Sequence, residues 1–239
     1  MELREQRFGI EIEMTGITRA GAAKVAATYF GTRSEYVGTY YQTYAAVDQE
    51  GRQWKFMSDG SIRAEKKVNG EKRAAGAVYR TEMVSPICRY EDIEKIQELI
   101  RELKKKGAIV NESCGIHVHI DASPFDAGKL RNLTNIMAAK EDLIYKALGV
   151  SVERQHRWCR PVEERFLEEL NRRRPTSMEA VEEIWYNGRS RRGQHYDQSR
   201  YHCLNLHSVF QKGTVEFRLF NGTLHAGKIK AYIQLRRRH

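Results

Sequence analysis

Apolar and polar residues alternate in five short stretches, the period-two signature of strands that bury one face. Phe8, Ile10, Ile12 and Met14 alternate with Gly9, Glu11 and Glu13, while Ile116, Val118 and Ile120 alternate with His117, His119 and Asp121. Val215, Phe217 and Leu219 alternate with Glu216 and Arg218, and Leu204 and Leu206 with Asn205 and His207. Val78 to Val84 reads as a fifth strand, with Arg80 and Glu82 on one face and Tyr79, Thr81 and Met83 on the other. Two further runs, Tyr36 to Val47 and Gln53 to Met57, predict a hairpin around Asp48 to Arg52.

A helical period replaces the alternation elsewhere. From Tyr90 to Gly107 the apolar residues Ile93, Ile96, Ile100 and Leu103 form one stripe, opened by Glu91 and Asp92 and closed by Lys104 to Lys106 and Gly107. A second helix starts near Ser123-Pro124 or Asp126, carries Leu130, Leu133, Met137, Ile144 and Leu148, and stops at Gly149. Shorter helices are predicted for Gly21 to Phe30, Pro161 to Asn171 and Ser177 to Tyr186, the last with Thr176 and Glu179 at capping-box spacing. No repeat and no Pro- or Ser-rich linker divides residues 1–239, so one domain is expected.

Composition narrows the classes. Apolar residues make up 41% of 239 residues, too many for a disordered chain, and no apolar run is long enough to span a bilayer. The N-terminus, Met1 to Arg7, is charged and lacks the apolar core of a secretory signal. Cys88, Cys114, Cys159 and Cys203 are scattered singly, which suits a reduced, cytoplasmic chain and gives no zinc or disulfide framework. The net charge of +10 favours an anionic partner without choosing among nucleic acid, nucleotide and acidic substrate.

The chemistry lies on the polar faces of the strands. They carry Glu-x-Glu and His-x-His together with Glu82, Glu216 and Arg218, where a solvated face would carry mixed Lys, Thr, Gln and Glu. Residues i and i+2 of a strand point the same way, roughly 7 Å apart. Glu11 and Glu13 are thereby too distant to share one hydrogen bond but well spaced to hold two neighbouring metal ions. Clustered carboxylates with one imidazole suit Mg²⁺ or Mn²⁺ better than zinc. Arg218, two residues after Glu216, would clamp phosphoryl oxygens beside such an ion, or simply bridge Glu216. Asp59-Gly60-Ser61-Ile62 alone reads as a turn. Asn187 to His202, with Arg189, Arg191, Arg192 and Arg200 and no periodicity, reads as a mobile basic loop, either a lid over an anionic ligand or a surface loop.

These residues resemble the amidoligase family, a branch of the carboxylate–amine ligases that includes glutamine synthetase and γ-glutamylcysteine ligase. The matching pieces are Phe8 to Glu13, Asp59 to Ile62, Thr81 to Pro86, Gly115 to His119 and Gly213 to Arg218, in the family's order and across nearly the whole chain. The resemblance implies an α+β fold: a curved antiparallel sheet whose concave face holds the active site and Mg²⁺ ions, with helices packed behind it. It implies that ATP phosphorylates a carboxylate and an amine displaces the phosphate. By the resemblance, Glu11, Glu13, Glu82, His117 and Glu216 are metal ligands. Glu82, His119 and Arg218 are the catalytic set, and His119, Arg218 and Arg200 face the nucleotide. The substrates would be small molecules or peptides. No separate nucleotide motif of the Gly-x-x-x-x-Gly-Lys kind is present, so ATP rests on the resemblance alone. Family members continue with a further helical stretch where this chain ends inside a helix begun near Lys228, so it reads as naturally short or truncated.

Two other classes compete. A metal-dependent hydrolase or nuclease would use the same carboxylates and imidazoles to activate water. A basic nucleic-acid-binding module would use Arg172 to Arg174 and Arg236 to Arg238, but glutamate-lined strand faces are the wrong surface for a phosphate backbone.

Overall fold

A computed structural model describes residues 5–235. The N-terminal Met1 to Arg4, Arg236 to Arg238 and the end of the helix expected from Lys228 to His239 lie outside the described residues. In chain order the first half comprises β1 (Phe8–Met14), α1 (Arg19–Phe30), β2 (Ser34–Gly38), β3 (Thr43–Val47), β4 (Gln53–Met57), β5 (Glu65–Val68), β6 (Glu71–Ala74), β7 (Thr81–Val84), α2 (Asp92–Lys105) and β8 (Gly115–Asp121). The second half comprises α3 (Ala127–Leu148), α4 (Val152–Arg157), α5 (Glu164–Arg173), α6 (Met178–Trp185), β9 (Leu204–Asn205), α7 (His207–Lys212), β10 (Thr214–Asn221) and α8 (Ala226–Leu235).

The protein is thus mixed α/β, and eight strands hydrogen-bond in the order β2-β3-β4-β7-β1-β8-β10-β9. Neighbours β2–β3, β3–β4, β4–β7, β7–β1 and β10–β9 run antiparallel. β5 and β6 form a separate two-stranded hairpin. Contacts divide the chain into two compact units, residues 5–118 with 222–235, and residues 119–221.

In the first unit, Ile10, Ile12 and Met14 of β1 are fully buried, as the alternation requires. Thr18 caps α1 by accepting a hydrogen bond from the Gly21 N–H, and Gly31 ends the helix in the left-handed conformation. Small residues Ala22, Ala23, Ala26 and Ala27 let α1 lie close against β3 and β4. The stripe of α2, Ile93, Ile96, Leu99, Ile100 and Leu103, is buried against α1 and α8. Each such side chain contributes about 1.5–3 kcal/mol of transfer free energy. Gly16, at φ 79°, is required, since a Cβ there would sit 2.4 Å from the Gly107 carbonyl oxygen.

In the second unit, Asp126 caps α3 through the Lys129 N–H and Gly149 ends it, which selects the later of the two expected starts. α5 packs against α3 and α6, with the Phe166 and Trp185 rings edge to face at 4.9 Å. Ser177, not Thr176, caps α6: its side chain accepts from the Ala180 N–H.

Three expected strands are corrected. Val78 to Val84 is a strand only from Thr81, because Ala77–Tyr79 turn through a 3₁₀ helix. Tyr36 to Val47 is itself a hairpin, β2 to β3, broken where Gly38, Thr39 and Gln42 take positive φ. The alternation at Leu204 stops early, since Leu206 turns helical and His207 opens α7.

Candidate functional site

In the first unit the antiparallel register of β1 and β7 sets Glu13 directly opposite Glu82 and Glu11 opposite Val84. Glu13 is 4% and Glu82 8% exposed, so two like charges face each other under near-complete burial. β8 brings His117 to the same place: its Nδ1 lies 2.9 Å from Glu11 Oε2, and its Nε2 4.0 Å from Glu13 Oε1. Glu13 Oε2 also accepts the Gly115 N–H at 2.6 Å. The turn after β4 adds Asp59, whose Oδ1 caps its own turn by accepting the Ser61 N–H and hydroxyl.

These side chains make two overlapping sets of donors. Glu11, Glu82 and His117 can bring one ligand atom each within 4.8 Å of one another, and so can Glu13, Asp59 and Glu82. The chemistry of the sets fits divalent cations: one all-carboxylate set of hard oxygens, one with a single imidazole, and Glu82 common to both. A carboxylate on His117 Nδ1 fixes the ring and its tautomer, as metal-ligating histidines commonly require. Asp59 belongs to one of the motifs that carry the resemblance, but taken alone it reads as turn chemistry, and no ligand role is expected of it from the sequence.

The second unit holds the remaining candidates. Register sets Glu216 opposite Asn205. Glu216 Oε1 takes the Arg218 Nη1 at 2.6 Å and Oε2 takes the Asn205 Nδ2 at 2.6 Å, with all three side chains buried. His119 Nε2 lies 3.8 Å from Glu216 Oε1, and its Nδ1 is 3.0 Å from the Thr214 hydroxyl. Thr214 is held in turn by Ser208 at 2.8 Å. Asn205, a polar-face residue with no role expected from the sequence, is the other partner of Glu216, and its buried Oδ1 receives no hydrogen bond among the described residues. Arg218 also donates Nε to the Trp158 carbonyl and lies over the Tyr201 ring at 5.6 Å.

Arg200 lies 5.7 Å over the same Tyr201 ring and donates to the His195 carbonyl. Among its neighbours in the basic segment, Arg191 pairs with Asp197 at 3.4 Å and Arg192 with Glu182 at 3.4 Å. Beside them His207 is buried, its Nδ1 2.5 Å from the Tyr186 hydroxyl, and burial pulls its pKa below the usual histidine range. Cys88, Cys114, Cys159 and Cys203 are all buried thiols, and burial pushes Cys88 up to about 12 and Cys159 to about 11. No helix among the described residues is long and apolar enough to cross a membrane.

No curated protein and no solved structure matches the chain. A family model described as "putative amidoligase enzyme" matches residues 4–239, nearly the full length, and the chain therefore belongs to that amidoligase family.

Proposed function

We propose that the protein is an ATP- and Mg²⁺-dependent carboxylate–amine ligase acting through an acyl phosphate. The γ-phosphoryl group of ATP passes to a carboxylate oxygen, releasing ADP. An amine nitrogen then attacks the acyl carbon, phosphate leaves with the C–O bond electrons, and the amine gives up a proton. Family membership supports the ligase class, and this reading includes the glutamine synthetase-like catalytic sheet that the resemblance implies. Buried free thiols are in keeping with a cytoplasmic setting.

The observation that carries the proposal is the juxtaposition of Glu13, Glu82 and Asp59, with Glu11 and His117 alongside. In the first unit Glu11, Glu82 and His117 would hold one Mg²⁺ (or Mn²⁺), and Glu13, Asp59 and Glu82 another. In the second unit Glu216 and His119 would serve as further donors, and Arg218 and Arg200 would face the phosphates. Bound divalent ions supply positive charge against the phosphate oxygens. Asn205 and Arg218 fix both oxygens of Glu216, so that carboxylate is held in one orientation before any ligand arrives. Glu82 is the group assigned to accept the amine proton.

The test is Mg²⁺-dependent ADP release in the presence of panels of carboxylates and amines. Glu11→Ala and Glu216→Ala are each expected to lower turnover by about 10²–10³-fold, the scale of losing one electrostatic stabiliser of the transition state. Their circular dichroism should be unchanged. Full turnover in both variants would overturn the assignment.

A further inference from the structure

The polypeptide between two members of the carboxylate cluster, Asp59 and Glu82, forms the β5–β6 hairpin, and its register is unusual. Lys66 pairs directly with Arg73 and Lys67 with Lys72, so two successive cross-strand positions oppose like charges. Side chains alternate along a strand, so one cationic pair stands on each face of the ribbon. Like charges placed opposite each other destabilise a ladder, and an isolated two-stranded hairpin is marginal to begin with. The Asn69–Gly70 turn, at φ 52° and 85°, supplies the local drive to form it.

The charges are largely uncompensated. Arg63 pairs with Glu65 and Glu112, and Arg73 with Glu71. Lys66, Lys67 and Lys72 make no ion pair among the described residues: Lys66 lies 5.8 Å over the Tyr79 ring and Lys72 Nζ donates to the Val110 carbonyl. All four residues of β6 are exposed, as are Lys67 and Val68, and neither outer edge of the hairpin is paired with a third strand. The base of β5 is tied down, since the Glu65 carbonyl accepts the Gly16 N–H and the Glu65 N–H donates to the Thr15 hydroxyl, which leaves β6 as the open backbone edge. A ribbon with repelling cations on both faces and one open backbone edge is complementary to an extended polyanion that has backbone N–H and C=O groups of its own.

We infer that the β5–β6 hairpin is a docking arm for an acidic polypeptide segment, whose carboxylates relieve the Lys67–Lys72 and Lys66–Arg73 repulsions and which the enzyme modifies at a carboxylate. The substrate class rests on the ligase reading above; the docking itself does not.

Fluorescence anisotropy with a labelled octaglutamate peptide tests it. The wild-type protein should bind the peptide, more weakly as salt is raised. Lys67→Glu replaces a repelling pair with an attracting one, so the melting temperature should rise while peptide affinity falls about tenfold. Glu82→Gln should lose turnover yet bind the peptide as wild type does. Unchanged affinity in Lys67→Glu, lost affinity in Glu82→Gln, or displacement of the peptide by a lower concentration of an oligothymidylate of equal charge would each overturn the docking proposal, the last in favour of nucleic acid. A wild-type protein that binds the peptide yet releases no ADP from ATP and Mg²⁺ with it would instead sink the ligase reading and leave the docking arm standing.

Discussion

Two acidic clusters in the first unit, each with two buried carboxylates, invite comparison. One joins Asp48 of the β3–β4 turn to Asp92 at the start of α2; the other joins Glu13, Glu82 and Asp59. Burial does not distinguish them, since Asp48 and Asp92 are 3% and 7% exposed and Glu13 and Glu82 are 4% and 8%. The facing group does. Arg52 grips Asp92 through two hydrogen bonds of 2.9 and 2.7 Å and Asp48 through its Nε at 3.0 Å, while the Trp54 indole adds a further donor to Asp48. Across β1 and β7, by contrast, a carboxylate faces a carboxylate. The first arrangement ties a turn to a helix through its own ion pairs. The second sets two carboxylates opposite each other across a ladder, and the proposed metal site rests on that juxtaposition.

The sharpest way to break the comparison is to remove the guanidinium from the ion-paired cluster. Arg52→Met leaves Asp48 and Asp92 buried without their guanidinium, and should destabilise the protein by about 3–5 kcal/mol. Chemical denaturation measures it directly. A loss under about 1 kcal/mol, the level of a surface pair, would mean the network is ornamental.

A smaller effect follows from proton linkage. Burial alone would raise the Asp92 carboxyl, but hydrogen bonds from Arg52 and from the Arg89 N–H outweigh it and hold the pKa at about 2, below the 3.8 of a free side chain. A depressed carboxyl stabilises the fold above its unfolded pKa and loses that contribution as pH falls through the folded value. Asp92 should therefore supply about 2 kcal/mol that disappears between about pH 4 and pH 2. The slope of stability against pH in that window should flatten in Asp92→Asn. An identical slope in both proteins would remove Asp92 from the account.

How much of this was legible in the chain differs between backbone and site. The alternation from Phe8 to Met14 and from Ile116 to Ile120 was enough to put Glu11, Glu13 and His117 on polar strand positions, because a strand leaves side chains only two directions. Asp59 to Ile62 stood out as a motif, but the role of Asp59 did not, because its Asx turn is a sufficient reason for an aspartate there and nothing local reveals a neighbour more than 20 residues away in Glu82. Asn205 was hidden for another reason: its partnership with Glu216 exists only in the register of β9 against β10, which depends on a tertiary pairing. The β5–β6 hairpin had a strong turn signal in Asn69–Gly70, yet its flanks carry charge instead of alternating apolar residues, so pattern and turn disagreed. Asn187 to His202 lacks periodicity, and apart from a 3₁₀ turn at Gln198–Arg200 it is irregular, with Arg191 paired to Asp197 and Arg192 to Glu182.

The smallest predicted effect has the opposite sign from the first and decides the comparison best. If Glu13 and Glu82 repel across the ladder, neutralising one of them should help the fold even as it harms the proposed chemistry. Glu82→Gln is nearly isosteric, so packing is preserved and the change isolates charge. In chelator its stability should rise by up to about 1 kcal/mol, the range of cross-strand charge pairs, or about 2–4 °C in melting temperature for a chain of this size. Added Mg²⁺ should then raise the melting temperature of the wild type and do so much less for the variant, because a ligand that binds only the folded state stabilises it in proportion to its affinity. Arg52→Met should keep the full Mg²⁺ increment from its lower starting point, since its cluster meets no ion. A Glu82→Gln protein that is less stable than wild type in chelator would show that the facing carboxylates are already balanced from within, and the distinction between the two clusters would fall with it.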